Sequence, residues 1–450
     1  MKNYNNKNFF KILSIFLILF SIIFFFYGFL VGENSAGAGG FSGDFGNVWI
    51  TLQTFLNNDI LTSIKISGDI VTPGQDRLYI SSRTPLIYIF NKVLNPFIET
   101  KINYIRSVFV FSLLAPILFY YSLKIKFPKV SSLALLLLAS TILLSPYFRT
   151  SSYWGLEENY GIVFIFISYI LLEKFLIEKK KNFFIKYLKL FSLITSSSLC
   201  VYFDQKLLII PLFCFIKIIF SNENIILKIF TCLLYLIFSI PFLYLIFLWG
   251  NIIPTIDSEI RSTGRNFFLS HVGFSLTIIG FYFIPLFFFK SENIIKIIKS
   301  YFKDKVKLLF FCFFIIYLLL SIFFDDYQNS VYNIIGKGVI HKLSLLLFNN
   351  HLIQKIFIYF NFIIFYFIVT LFVDKKITEN LIIFYLLVIS IFISPILQEY
   401  FDPLMLIIVF IFFNLKLKIN YKNTCYLFIY LLTFLIIAKI HYLKTFSFVS

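Results

Sequence analysis

Charge is scarce in this chain of 450 residues, of which only 14% are Asp, Glu, Lys or Arg. A soluble domain carries about a quarter charged residues, so a water-soluble globular protein is excluded. The acidic sign is the rarer one, 22 residues against 40 basic, for a formal charge of +18. In a soluble protein that excess would suggest nucleic acid. Here the lysines cluster in short segments between apolar runs, which assigns them to membrane topology and leaves no nucleic-acid partner. The five cysteines (Cys200, Cys214, Cys232, Cys312, Cys425) lie in or beside apolar runs. They have neither zinc-site spacing nor a disulfide pattern, and read as small packing residues. Four histidines (His271, His341, His351, His441) show no pairing at metal-ligand spacing, so no metal site is expected.

What the chain has is apolar length. It is 59% hydrophobic with 64 Phe, and its mean hydropathy is +0.88. Apolar runs of about 18 or more residues recur throughout. The expected fold is therefore all-α, a polytopic transmembrane helix bundle forming one domain over 1–450, with membrane lipids as its surroundings. The N-terminal run to about Val31 follows Lys2, Lys7 and Lys11 and exceeds the roughly 7–15 residues of a cleaved signal, so it reads as a signal anchor. Later spans are expected near 104–123, 130–146, 160–177, 190–204, 206–221, 229–249, 272–289, 308–324, 356–373, 381–397, 403–415 and 424–440. With a cytoplasmic N-terminus, the basic segments "KIKFPK", "EKKKNFFIKYLK", "KSENIIKIIKSYFKDKVK", "DKK" and "KLKINYK" all fall inside. This gives about thirteen spans, N-terminus in and C-terminus out.

The opposite side then receives 32–103, the turn 145–160, the loops 250–271 and 325–354, and the short turn 398–403. These hold Asp44, Asp69, Asp76, Glu157, Glu158, Asp257, Glu259, Asp325, Asp326, Glu399 and Asp402, and all four histidines. Chemistry is expected on that face.

In the first outer segment Asp44 lies among glycines, which let backbone approach a ligand or turn sharply. After it, Val48, Leu52, Phe55 and Leu56 share one face of a short helix suited to the membrane surface, and Asp44 can equally cap that helix. "SSRTPLIYIFNKVLNPF" (81–97) predicts a second interfacial helix, capped by Thr84, begun by Pro85 and stopped by Pro96. "LSPYFRTSSYWGLEENYGIVF" (144–164) sets Arg149, Glu157, Glu158 and Asn159 beside Tyr153 and Trp154 in one turn between spans. The residues alone leave two readings open, belt aromatics with a structural ion pair, or ligand contacts. "QEYFDP" places Gln398, Glu399, Tyr400 and Asp402 in a tight turn. Arg261, Arg265, Lys337, His341 and Lys342 are candidate phosphate contacts, and Asp204 reads as pairing with Lys206 at a hairpin tip.

Two of these segments resemble the GT-C superfamily, polytopic glycosyltransferases that use polyprenyl-phosphate sugars, such as aminoarabinose transferases and protein O-mannosyltransferases. "RTPLIYIF", Arg83 to Phe90, is similar to the aromatic segment that follows the acidic residue of the family's first outer loop. "SPYFRTSSYWGLEEN" (145–159) has the layout of its second. The chain departs from the pattern at Asp44, which is single and followed by Phe45 where many members have paired acids. The resemblance implies transfer of a sugar from a polyprenyl-phosphate donor to a lipid, glycan or protein acceptor at the outer face of a bacterial inner (plasma) membrane. It implies Asp44 as general base and Arg149 on the donor phosphate. Tyr153 and Trp154 would stack on a sugar, Glu157 or Glu158 would hold its hydroxyls or orient Arg149, and Arg83, Asn159, Glu399 and Tyr400 would join the substrate site. No cofactor is required, although a divalent cation is compatible with the chemistry.

Two rival classes are an O-antigen polymerase or ligase and a lipid-linked sugar transporter or flippase. The polymerases keep their large outer loop late, whereas here the longest comes first. Transporters show repeat symmetry and spans broken by Gly or Pro, and the sequence displays neither.

Overall fold

The computed structural model describes residues 2–34, 44–69, 78–81, 83–177, 183–251, 254, 268–290, 294–324, 338–373, 377–391 and 396–446. Among these residues regular structure is entirely helical, with no strand. The packing forms two compact units. The N-terminal unit comprises Ser14–Thr263 with Leu431–Ser450, and the C-terminal unit Gly264–Tyr430 with Met1–Leu13.

In the N-terminal unit, α1 (Lys2–Leu30), which enters it at Ser14, is followed by three short helices, α2 (Asp44–Asn57), α3 (Ile60–Ile66) and α4 (Leu86–Leu94). Then come α5 (Lys101–Ser112), α6 (Leu114–Lys126), α7 (Ser132–Ser140), α8 (Pro146–Tyr153), α9 (Glu158–Ile177), α10 (Phe183–Phe203), α11 (Ile209–Ile219) and α12 (Ile225–Trp249). Val48, Leu52 and Phe55 of α2 are buried against Ile87 and Tyr88 of α4, with Leu56 packed alongside. Lys92 of α4 donates to the Phe55 carbonyl at 2.6 Å, which fastens the two helices together. Helix α4 stops before Pro96 as expected, but Pro85 occupies its cap position and makes no side-chain cap bond. Thr84, the expected cap, instead gives its hydroxyl to the Tyr202 carbonyl. Small residues set the α9–α10 packing. Ser168 donates to Ser196 at 3.0 Å, and a Cβ on Gly161 would strike Leu207. Such residues let backbones approach closely in lipid, where apolar surface alone gives helices no preference for each other.

The segment expected as an inter-span turn is in fact helical. Residues Ser132–Leu144 and Pro146–Tyr153 are bent by 67° about Ser145. The Ser145 hydroxyl accepts from the Phe148 amide and Pro146 supplies the first helical turn, so the chain ends one helix and begins another at once. This is a broken span or re-entrant element, in contrast to the unbroken span expected over 130–146.

The C-terminal unit contains α13 (Ser270–Phe283), continued by a 3-10 stretch to Phe289, α14 (Ile294–Lys303), α15 (Lys305–Phe324), α16 (Gly338–Leu347), α17 (His351–Phe372), α18 (Ile377–Ser390), α19 (Leu404–Ile407) with a π-helical extension to Phe412, and α20 (Tyr421–Phe446), which leaves the unit after Tyr430. On α13, Cβ atoms at Gly273 and Gly280 would lie 2.2 and 2.3 Å from the rings of Phe362 and Phe365. Those glycines are the slots that receive α17.

Among the described residues nine helices are long and apolar enough to cross a membrane, or ten if the bent pair counts as one. Many of their large apolar side chains are exposed, including Phe16, Leu19 and Ile23 on α1 and Leu236, Ile240 and Phe247 on α12. The chain is a helical membrane protein. The remaining expected spans, 206–221, 381–397 and 403–415, correspond to shorter helices, α11, α18 and α19. Every residue from Phe401 to Phe413 is buried, so α19 is an enclosed core element too short to cross a bilayer.

Candidate active site

A cluster of ionisable groups forms in the N-terminal unit where α9 begins, α10 ends and the approach to α4 passes between them. Arg83 is fixed by its own backbone. Tyr79 donates its hydroxyl to the Arg83 carbonyl at 2.6 Å, and the Arg83 amide donates to Ser81 Oγ at 3.0 Å. Its guanidinium then bridges two acids, Nη2 to Glu158 Oε1 at 3.0 Å and Nη1 to Asp204 Oδ1 at 3.1 Å. Lys206 Nζ stands 3.0 Å from Asp204 Oδ2, out of line for a hydrogen bond. Asp204 also accepts from the Lys206 amide, capping the 3-10 turn Gln205–Leu208. Arg83 and Lys206 expose about a fifth of their side chains, 22% and 21%, whereas that of Asp204 is fully buried.

Glu157 faces inward beside Glu158, the first residue of α9. Ser81 and Tyr88 donate to its Oε1 at 3.2 and 3.4 Å. Burial raises the Glu157 pKa most, the charge of Glu158 adds to this, and Arg83 opposes it; the carboxyl is pushed up to about 7. Asp44 raises it further through its own charge, so the exposed first residue of α2 lies within electrostatic reach of this acid. The Tyr88 phenol is held well above its usual value, first by burial and then by Glu157. A buried carboxyl raised toward neutral pH, near the Arg83 cation and further carboxylates, is suited to general acid–base work.

Arg149 belongs to a different cluster. It is completely buried, and its Nε and Nη2 grip Glu33 Oε1 and Oε2, both at 2.7 Å. Nη1 donates to the Leu143 carbonyl and Nη2 also to the Phe24 carbonyl, each at 3.0 Å. The Phe24 ring lies 4.6 Å from the guanidinium, and Lys439 adds a second cation 2.8 Å from Glu33. Gly28 makes the approach feasible, since a Cβ there would sit 2.5 Å from Arg149 Nη2 and 2.7 Å from Glu33 Oε2. Burial pushes the Glu33 pKa up, but bonding to Arg149 and then Lys439 outweighs it and the net shift is downward. Tyr153 donates to the Phe25 carbonyl at 2.6 Å, and Trp154 Nε1 to the Glu33 carbonyl at 3.2 Å. These aromatics tie α8 to α1. Breaking such a buried pair typically costs 3–5 kcal/mol, so Arg149, Tyr153 and Trp154 form a structural clamp.

Of the residues singled out in the sequence, the fold thus brings together Asp44, Arg83, Glu157 and Glu158, and places Arg149, Tyr153 and Trp154 around Glu33. Asn159 lies fully buried between Ser112 and Ser152, to which its amide donates at 2.8 and 2.7 Å. Glu399 and Tyr400 are half-buried on a 3-10 turn of the C-terminal unit. Asp76, Asp257, Glu259, Arg261, Arg265, Asp325, Asp326 and Lys337 lie outside the described residues. Sequence reasoning missed Glu33, Ser81, Tyr88 and Lys439, and saw in Asp204 and Lys206 only each other. The signal for Asp204 was present, since an acid at the tip of an apolar hairpin needs a partner. Among the described residues no group of three His, Cys, Asp or Glu side chains is arranged to hold a metal ion. No protein-family model matches this chain, and no curated protein or solved structure matches it either.

Proposed function

We propose that the Glu157 cluster is the catalytic centre of a membrane glycosyltransferase that moves a sugar from a polyprenyl-phosphate donor to an acceptor hydroxyl or amine. In this reading the protein sits in a bacterial inner membrane with its N-terminus cytoplasmic, and the cluster faces the periplasm or exterior. Glu157 takes the acceptor's proton as the acceptor oxygen bonds to the anomeric carbon. The bond from that carbon to the phosphate oxygen breaks, and its electron pair departs on the polyprenyl phosphate. Arg83 and Lys206 stabilise the growing negative charge. Sequence resemblance gave the base to Asp44. Glu157 is better matched to proton transfer near neutral pH, and Asp44 acts on it through its charge.

The observation that carries the reading is the buried carboxyl raised to about 7 near the partly exposed Arg83, which Asp204 links to the partly exposed Lys206. A second reading, a proton-coupled transporter of a lipid-linked sugar, draws on the same acid and on the 67° break between α7 and α8.

The deciding experiment reconstitutes the protein in liposomes with a labelled polyprenyl-phosphate sugar and mixed acceptors. A transferase yields a new covalent product, whereas a transporter moves the unaltered donor and is stopped by a protonophore. Glu157→Gln should lower product formation by roughly 10²-fold or more. Asp44→Asn should retain transfer, with the acid limb of its pH profile moved to lower pH because a pKa-raising charge is gone. Undiminished transfer by Glu157→Gln would overturn the assignment.

A further inference from the structure

Helix α14, "IIKIIKSYFK", takes no part in the reading above. It ends one residue before α15, which is long and apolar enough to cross a membrane. Asp304 makes the junction, its carboxylate accepting from the Val306 and Lys307 amides at 3.1 and 3.4 Å, and so caps the span. Tyr301 of α14 is buried, with its ring 4.8 Å from that of Phe367 on α17. Thr370 donates its hydroxyl to the Tyr301 oxygen at 3.3 Å, and Lys307 Nζ donates to the Thr370 carbonyl at 3.1 Å. Phe367 and Thr370 lie in the last two turns of the span His351–Phe372. These contacts hold α14 at the edge of the bilayer.

The helix is ordered by side. Ile298 is half-buried and Tyr301 buried on the side that meets the protein. Lys296, Lys299 and Lys303 recur at i, i+3 and i+7, so they share one face with neighbouring Cβ atoms about 5–6 Å apart. All three are exposed. Ile295, Lys299 and Phe302 recur at i, i+4 and i+7 and form the stripe between those two sides. There Ile295 is 60% exposed and Phe302 54%, although the Phe302 ring also stacks on Phe367 at 5.7 Å. Residues 294–307 hold five lysines against one acid, Asp304, which is engaged in capping. A lysine that only orients the chain in the membrane can stand anywhere in its loop. Apolar side chains on one side and cations on the next are instead the order of a helix lying at the boundary of headgroups and acyl chains.

We propose that α14 is a docking surface for anionic phospholipid, with Lys296, Lys299 and Lys303 on the headgroup phosphates and Ile295 and Phe302 against the upper acyl chains. The exposed apolar pair distinguishes a lipid from free phosphate, because free phosphate offers it no partner. Three cations on one face distinguish an anionic headgroup from a zwitterionic one. This surface goes beyond the transfer reaction and does not depend on it.

The test uses full-length protein carrying Phe302→Trp in a neutral detergent. It is titrated with short-chain phosphatidylglycerol or phosphatidylcholine brominated on the acyl chain, which quenches a nearby indole. Protein without the substitution, with Trp49, Trp154 and Trp249, supplies the background. Phosphatidylglycerol should quench the added emission at a concentration roughly tenfold or more below phosphatidylcholine. Sodium chloride at about 0.5 M should remove most of that difference. Lys296→Gln, Lys299→Gln and Lys303→Gln together should abolish it, whereas Lys296→Arg, Lys299→Arg and Lys303→Arg together should preserve it. Lys416, Lys418 and Lys422 are also exposed, but Leu417 and Ile419 between them are half-buried and buried. Changing those three lysines to Gln removes the same charge and should leave the preference in place. Native mass spectrometry of the wild type in mixed lipid, with and without salt, covers the case in which a variant does not fold or insert. It should show phosphatidylglycerol retained over phosphatidylcholine, and less so in salt. Any of three results would overturn the proposal. They are equal responses to the two lipids, a preference that survives the Gln changes on α14, and an equal loss from the Gln changes at 416, 418 and 422.

Discussion

Replacing Glu157 with Gln preserves its shape and removes its ionisable proton, so it isolates the consequence of burying that acid. An unperturbed Glu carboxyl has a pKa of 4.5, and in the fold this one is raised to about 7. The folded state thus binds the proton more tightly than the unfolded chain, and between these two values stability falls as pH rises. Stability from this group is fully present below about 4.5 and gone above about 7. A displacement of that size corresponds to about 3 kcal/mol. At 5% exposure there is little solvent screening to reduce it. Melting of detergent-solubilised protein, followed by intrinsic fluorescence between pH 5 and pH 8, measures the effect. The wild type should lose several degrees across this interval relative to Glu157→Gln, and the variant should be the more stable at pH 8. Parallel melting curves for the two proteins would refute the argument, because they would show that Glu157 carries the same proton affinity folded and unfolded.

The Arg149 clamp yields two further predictions. Arg149→Met leaves Glu33 buried with Lys439 alone and should cost roughly 3–5 kcal/mol, visible as loss of monodisperse protein on size exclusion; adding Glu33→Gln should recover part of it. Gly28→Ala places a methyl 2.5 Å from Arg149 Nη2 and should lower thermal stability by about 1–3 kcal/mol. Gly46→Ala on α2, where none of the described residues comes within 4 Å of the added Cβ, should be neutral or stabilising by up to about 1 kcal/mol.

Several features were readable along the chain because their causes are local. Pro96 ends α4, and Val48, Leu52, Phe55 and Leu56 do share one face of α2, although that face packs on α4, which the sequence did not indicate. Even the break after Leu144 was written in its Ser-Pro cap, although an apolar run on either side disguised it as a turn between spans. The charged residues were another matter. Standing beside Glu157 and Glu158 in the sequence, Arg149 invites an ion pair with them, yet its partner is Glu33, 116 positions earlier. Glu158 pairs instead with Arg83, whose second partner, Asp204, is 121 positions away, and Glu157 accepts from Ser81 and Tyr88.

Composition and periodicity therefore determined that this is a helical membrane protein, since the lengths of apolar runs and the caps that punctuate them are properties of neighbouring residues. Tertiary structure alone decided which apolar helices are enclosed, as α19 is, and which acids share a cation. A buried charge takes whichever counter-charge the packing of distant helices brings within about 3 Å, and that distance is set by side chains such as the missing one of Gly28, which no local pattern reveals.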